Sequence, residues 1–257
     1  MEDAVTARKL IDWLDQRQPE TGSEEGFKFG DPGVEVTGVL ICWMADRQAL
    51  EEAIAKRCNL VICHETLFYP QSAPIDGERC WAANRRRMEL MHRGSLTVYR
   101  AHGKLDRLCI FDDFAGALGL HDIHAGTGHS RVFAIASTPV GELVERARRA
   151  TGVPVVRVVG DLQRRVTRVG LPWGGLGLFV NIGFMQQLVE NGAEAGICGE
   201  TDEYAMRFAE DAGMALIETS HAACENIGLR HFAAILAEAY PGIPVTFHDS
   251  GPKWRTV

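Results

Sequence analysis

Asn59-Leu60-Val61-Ile62-Cys63-His64-Glu65 runs from a polar residue through four apolar ones and stops on an imidazole and a carboxylate. An apolar run this short, with β-branched residues at its centre, reads as a buried strand. The same rhythm continues on both sides. Upstream, Ala4 to Arg17 places Val5, Leu10, Ile11 and Leu14 at helical spacing. A polar, Gly-rich loop is expected over Thr21 to Gly33, a strand over Val36 to Cys42, and a helix over Asp46 to Arg57 with Asp46 as its N-cap. Downstream, Ile75 to Arg93 reads as mostly helical, Leu96 to Ala101 as a strand stopping at His102, and Phe111 to Leu118 as a short helix. Residues 121–130, rich in Gly, His and Thr, read as a break between two halves, 1–126 and 127–257.

The second half repeats the alternation. Strands are expected at Val132–Ser137, Val155–Val159, Val166–Leu171, Ala195–Gly199, Ala215–Thr219 and Val245–Phe247. Helices are expected at Val140–Thr151, around Gly183–Asn191, at Glu203–Ala212 and at Ala223–Tyr240, with a Gly-rich turn at Trp173–Gly177. Strands separated by helices imply an α/β fold with largely parallel or mixed sheets. In such sheets ligands gather where strands end.

With 46% hydrophobic and 24% charged residues in 257, the chain has enough apolar material for one large domain or two modest ones. The net charge of -7 disfavours nonspecific nucleic-acid binding, which needs excess Lys and Arg. The dense basic run, Arg85-Arg86-Arg87, lies on an amphipathic segment and reads as a solvated helix face. Seven scattered cysteines without a C-x-x-C pair read as reduced, partly buried thiols, and hence as a cytoplasmic protein. The N-terminus lacks the apolar core of a signal peptide, and no apolar stretch approaches the ~20 residues that span a bilayer.

Three expected strand ends carry metal-type ligands. They are His64-Glu65, then His102 with Asp106 four residues on, then His221 with Glu225 four residues on. Positions i and i+4 share a helix face, so His221 and Glu225 can address one centre. Imidazole with carboxylate suits Zn, Fe, Mn or Co. Each set alone is a common chance pattern; their shared placement at strand ends is what raises the reading.

Four segments together resemble one family. Leu60 to Phe68 resembles the hydrophobic strand and His-His-Pro-Leu pattern of the Nif-three-like (NGG-one interacting factor three) dinuclear metal centre family. Tyr99 to Asp106 is similar to its Tyr-x-x-His-Thr-Asn-Leu-Asp segment, and Cys198-Gly199-Glu200 to its Thr-Gly-Asp stretch. Ser220 to Leu229 is similar to its Gly-His-Tyr-x-x-Glu-x-x-Gly-Leu motif. The segments follow in family order over nearly the whole chain.

The resemblance implies two intertwined α/β domains related by duplication, with mixed sheets flanked by helices, and a hexameric homo-oligomer. It implies one or two divalent transition metals (Zn, Fe or Mn) per chain, with His64, Asp106, His221 and Glu225 at ligand positions. Glu65 stands where the family has a second histidine, and a carboxylate there still coordinates. Some members take their name from GTP cyclohydrolase type 2. This implies a metal-dependent hydrolase acting on a nucleotide or phosphate-containing small molecule, with Glu65 or His102 as general acid/base and Glu200 orienting one of them. The alternative is a non-catalytic metal storage, delivery or regulatory protein. Two departures favour it: the family's carboxylate after the first core strand falls near Trp43-Met44, and its histidine after the Thr-Gly-Asp stretch falls at Tyr204.

Overall fold

A computed structural model describes residues 4–19, 22, 24–70 and 81–255. Cys80 and the start of the helix expected from Ile75 lie outside the described residues. The chain divides into two compact units, Met1–Ile110 with Gly228–Ser250, and Phe111–Ile227 with Gly251–Val257. Each unit is built on one mixed sheet flanked by helices.

The first unit holds five strands, β1 (Gly26–Phe29), β2 (Val39–Cys42), β3 (Leu60–Cys63), β4 (Thr97–Arg100) and β11 (Val245–His248). Their order is β1-β4-β3-β2-β11, with the last four parallel and β1 antiparallel to β4. β2, β3 and β4 are buried at every residue, which is why β2 and β3 read as continuous apolar runs rather than alternating ones. Helices α2 (Arg47–Ala55) and α3 (Ala82–Gly94) supply Ala49, Leu50, Ala53, Leu90 and Met91 to a core against Leu40, Val61 and Val98 of the sheet. Asp46 caps α2 as expected, its side chain accepting from Ala49 N at 3.0 Å.

The second unit holds six strands in the order β5-β6-β8-β9-β10-β7. They are β5 (Asp122–Ala125), β6 (Val132–Pro139), β7 (Arg157–Val159), β8 (Arg165–Gly170), β9 (Ala195–Cys198) and β10 (Ala215–Glu218). β8, β9 and β10 are parallel neighbours, and the remaining pairs are antiparallel. Met185 and Leu188, with Ala205 and Ala209, pack on Val132, Cys198 and Leu216.

Two strands fall where loops are expected. β1 lies inside the Gly-rich stretch, and β5 lies inside the 121–130 break. Both are edge strands with partly or fully exposed residues, so neither carries an apolar run for the sequence to show. The long helix His221–Ala239 also starts two residues before its expected beginning. Its Gly228 is required by packing in the first unit, since a Cβ there would stand 2.4 Å from Ile110 Cα.

Candidate metal centre

The expected site residues form two sets, one in each unit. In the first unit, β3 ends at Cys63 and the chain turns at once. His64 N donates to Cys42 O (3.2 Å) and Trp43 O (3.1 Å), and Glu65 N donates to Trp43 O at 2.7 Å. The position where a carboxylate is missing thus supports the turn through its carbonyl. His64 is fully buried, and its Nδ1 lies 3.2 Å from Ala101 O. A carbonyl only accepts, so Nδ1 donates, and in the neutral ring Nε2 keeps the lone pair. This is the tautomer a metal-binding histidine needs, with its second nitrogen fixed by a backbone acceptor.

Nε2 faces Asp106 Oδ1 at 3.7 Å, and the ring stacks on His102 with centroids 4.6 Å apart. One ligand atom each from His64, His102 and Asp106 lie within 4.8 Å of one another. Asp106 reaches this place through a helical turn at Gly103–Leu105 that passes into a π-helical segment, Asp106–Ile110. Such π segments often mark functional positions.

Glu65 sits beside this group and is tethered. Its Oε2 lies 3.5 Å from Arg100 Nη2 and accepts from Thr66 N at 3.2 Å, while Oε1 lies 3.8 Å from His102 Nε2. Arg100 is buried and also donates from Nε to His64 O at 3.1 Å. Two acids without a sequence signal complete the surroundings. Glu24 Oε2 lies 2.9 Å from His102 Nδ1, and Glu25 Oε1 accepts from Lys104 N at 2.9 Å. Burial raises the Glu25 carboxyl above its ordinary range. Neither acid belongs to an ordered periodic segment, so only the folded loop shows them.

In the second unit, β10 ends at Glu218, and the helix His221–Ala239 brings His221 and Glu225 onto one face. His221 Nδ1 lies 3.0 Å from Glu200 Oε2, and His221 Nε2 lies 3.2 Å from Glu225 Oε1. The hydrogen bond to His221 holds the Glu200 carboxyl below its usual range. With the proton on Nδ1, the Nε2 lone pair and a buried carboxylate oxygen face each other across 3.2 Å. That arrangement is repulsive unless a proton or a cation sits between them. Two donors bound to one ion at about 2.0–2.2 Å stand roughly 3–3.5 Å apart, so the pair fits a divalent metal without rearrangement.

The Gly-rich turn is part of this set. Gly174 has φ +53, and a Cβ on it would lie 2.1 Å from Glu225 Oε1 and 3.0 Å from His221 Nε2. Gly174 O in turn accepts from Glu200 N at 2.9 Å. The turn therefore leaves room at the ligand atoms and anchors the residue that orients His221. The Gly-rich composition was its visible signal.

Burial pushes Cys63 up to about 12 and raises Cys198 and Cys224 well above the ordinary thiol range. All six described cysteines are free and buried. The Cys63, Cys198 and Cys224 thiols stay protonated at neutral pH, and the candidate donors are imidazole and carboxylate.

Each of the two mixed α/β units presents an imidazole–carboxylate group of metal-ligand type at its strand ends. Residues 5–252 match the model of the family described as Duf34/NIF3 (NGG1p interacting factor 3), and the chain belongs to that family. A "GTP cyclohydrolase 1 type 2 homolog" of Nostoc sp. is 29% identical over 211 residues, covering 76% of each chain. A protein of the same description from Yersinia pestis is 26% identical over 218 residues, covering 83% of each. Among solved structures, a Bacillus cereus protein related to NIF3 superposes with TM-score 0.84 at 15% identity, covering 99% of both chains. Reduced HcgD from Methanocaldococcus jannaschii superposes with TM-score 0.74 at 16% identity, covering 95% of this chain and 98% of its own. These likenesses establish the fold.

Proposed function

We propose that this protein is a metal-dependent hydrolase acting on a nucleotide or phosphate-containing small molecule. His64, Glu65 and Asp106 hold metal in one set, and His221 and Glu225 hold it in the other. The observation that carries the reading is the hydrogen bonding of the two histidines: Ala101 O and Glu200 Oε2 each accept from Nδ1, so that in the neutral ring the Nε2 lone pair lies beside a carboxylate. A bound divalent ion supplies Lewis acidity, lowering the pKa of a water and polarising a phosphoryl or amide oxygen.

The chain's own residues divide the remaining work. His102, held at Nδ1 by Glu24, is placed to accept or donate a proton at Nε2, where Glu65 Oε1 lies 3.8 Å away. Glu200 orients His221 and keeps its Nε2 available. Arg100 ties Glu65 in place and offsets the local negative charge. The names of the Nostoc and Yersinia relatives support a nucleotide substrate. The second reading, metal storage or delivery, draws on Glu65 itself, because its Oε2 already faces Arg100 Nη2 at 3.5 Å and is engaged away from a substrate.

Metal analysis of protein purified without added metal, for wild type, Asp106→Ala and His221→Ala, tests the ligand sets. The expected result is about one to two equivalents of transition metal per wild-type chain and less in both variants. Equal metal in all three would refute the assignment. Screening the loaded protein against phosphoesters and nucleotides then separates the classes, since a carrier binds metal and turns over nothing.

A further inference from the structure

Phe179 and Tyr204 are large aromatic residues left 50% and 70% exposed, and their rings contact each other with centroids 5.3 Å apart and planes 36° apart. Val180 beside them is 82% exposed. Contiguous exposed apolar side chains of this kind mark interaction or ligand-binding surfaces. The pair is also held in place. One carboxylate, Asp202, accepts from Phe179 N at 2.8 Å through Oδ2, and from Tyr204 N at 2.9 Å and Ala205 N at 3.1 Å through Oδ1. Those backbone hydrogen bonds hold the Asp202 carboxyl below its usual range. Both aromatic positions are therefore ordered before anything binds, which removes part of the entropic cost of binding.

The pair lies on the two segments that build the His221 set. Glu200 N bonds to Gly174 O, Thr201 bridges to Gly177, and Asp202 bonds to Phe179 N, so the segments are zipped from Gly174–Glu200 outward to the aromatics. Tyr204 lies four positions after Glu200, at most about 14 Å of extended chain. That is the scale of a ring joined through a sugar to a phosphate.

We propose that Phe179 and Tyr204 form a stacking platform for the planar ring of a nucleotide. The inference rests on the metal-dependent hydrolase reading for the group at the other end of the nucleotide, and it specifies the substrate's ring. Stacking on aromatic side chains tolerates any base, since every base has a π-face. A second copy of the chain is the competing occupant. The three exposed side chains offer on the order of 400 Å² of apolar surface, judged from the full size of such side chains. A stable protein interface needs about 800 Å² per partner.

Equilibrium dialysis with guanosine monophosphate, and with ribose 5-phosphate as a probe lacking the ring, tests the platform in the metal-loaded protein. Wild type should bind guanosine monophosphate more tightly than ribose 5-phosphate. The Phe179→Ala/Tyr204→Ala double variant should lose at least about tenfold of the former and none of the latter, as expected for base–aromatic stacking. Tyr204→Phe should bind like wild type, because the ring rather than the hydroxyl acts. Circular dichroism and metal content identify any variant that fails to fold. Equal guanosine monophosphate binding by wild type and the double variant would overturn the proposal. So would binding no tighter than that of ribose 5-phosphate, or an unchanged ring preference with a changed mass in light scattering. If wild type takes up no metal yet keeps a ring preference that depends on Phe179, the hydrolase reading falls and the platform stands.

Discussion

A methyl group on Gly174 would enter the space beside Glu225 Oε1 and His221 Nε2, the two atoms proposed as the second ligand set. Gly174→Ala also forces a side chain onto a residue at φ +53, at a cost of about 1–2 kcal/mol. The variant should fold with Tm lower by a few degrees, and it should lose metal more severely than that shift implies. Metal content equal to wild type would show that the turn does not border the metal. Glu65 allows a sharper test. It replaces an imidazole by a hard oxygen donor and is held by Arg100, so its metal position should be the weaker one and should lean toward manganese. Glu65→His should raise occupancy there and shift preference toward zinc. Titrating both proteins with zinc and manganese decides it, and identical stoichiometry with identical preference would show that Glu65 is no ligand.

Among the elements, the junction of β8 with β9 depends on one carboxylate. Glu194 accepts from Thr167 N (2.7 Å), Thr167 Oγ1 (3.0 Å) and Arg168 N (3.2 Å), and it pairs with Arg168 Nη2 at 2.9 Å. Burial opposes its ionisation, yet these donors outweigh burial and hold its carboxyl below the ordinary value of 4.5. A depressed folded pKa contributes stability that is present above the unfolded pKa and is lost as pH falls through the folded one. Wild type should therefore lose stability below about pH 4.5, and Glu194→Gln should lose less over that window while starting lower at neutral pH. Parallel acid-unfolding profiles for the two proteins would contradict this role. At α2, Asp46→Ala removes the cap to Ala49 N and should cost about 1 kcal/mol in denaturant unfolding. No change would mean that the first turn is satisfied in another way.

For the whole molecule, we propose a closed homo-oligomer, a hexamer, on the strength of the family to which the chain belongs. Closed rings arise when one heterologous interface repeats. Light scattering at micromolar concentration should give a mass near six times 28.3 kDa, and a mass near 28.3 kDa would exclude it. No described helix is long and apolar enough to cross a membrane.

The sequence by itself determined the α/β class, because buried strands such as Leu60–Cys63 and amphipathic helices such as Ala7–Arg17 write their burial directly into residue pattern. Strand ends and i,i+4 spacing, both local properties, also pointed to His64 with Glu65, His102 with Asp106 and His221 with Glu225, and the family resemblance singled out His64, Asp106, His221 and Glu225 among them. The edge strands β1 and β5 stayed hidden, because an exposed strand needs a partner's backbone rather than an apolar run. Only the tertiary structure decided which nitrogen of each histidine faces a carboxylate, and that Glu24 lies beside His102 and Gly174 beside Glu225. It alone decided that β11, from the far end of the chain, pairs with β2 in the first sheet. These are contacts between residues far apart in sequence, set by strand order and loop path, and no local pattern encodes them.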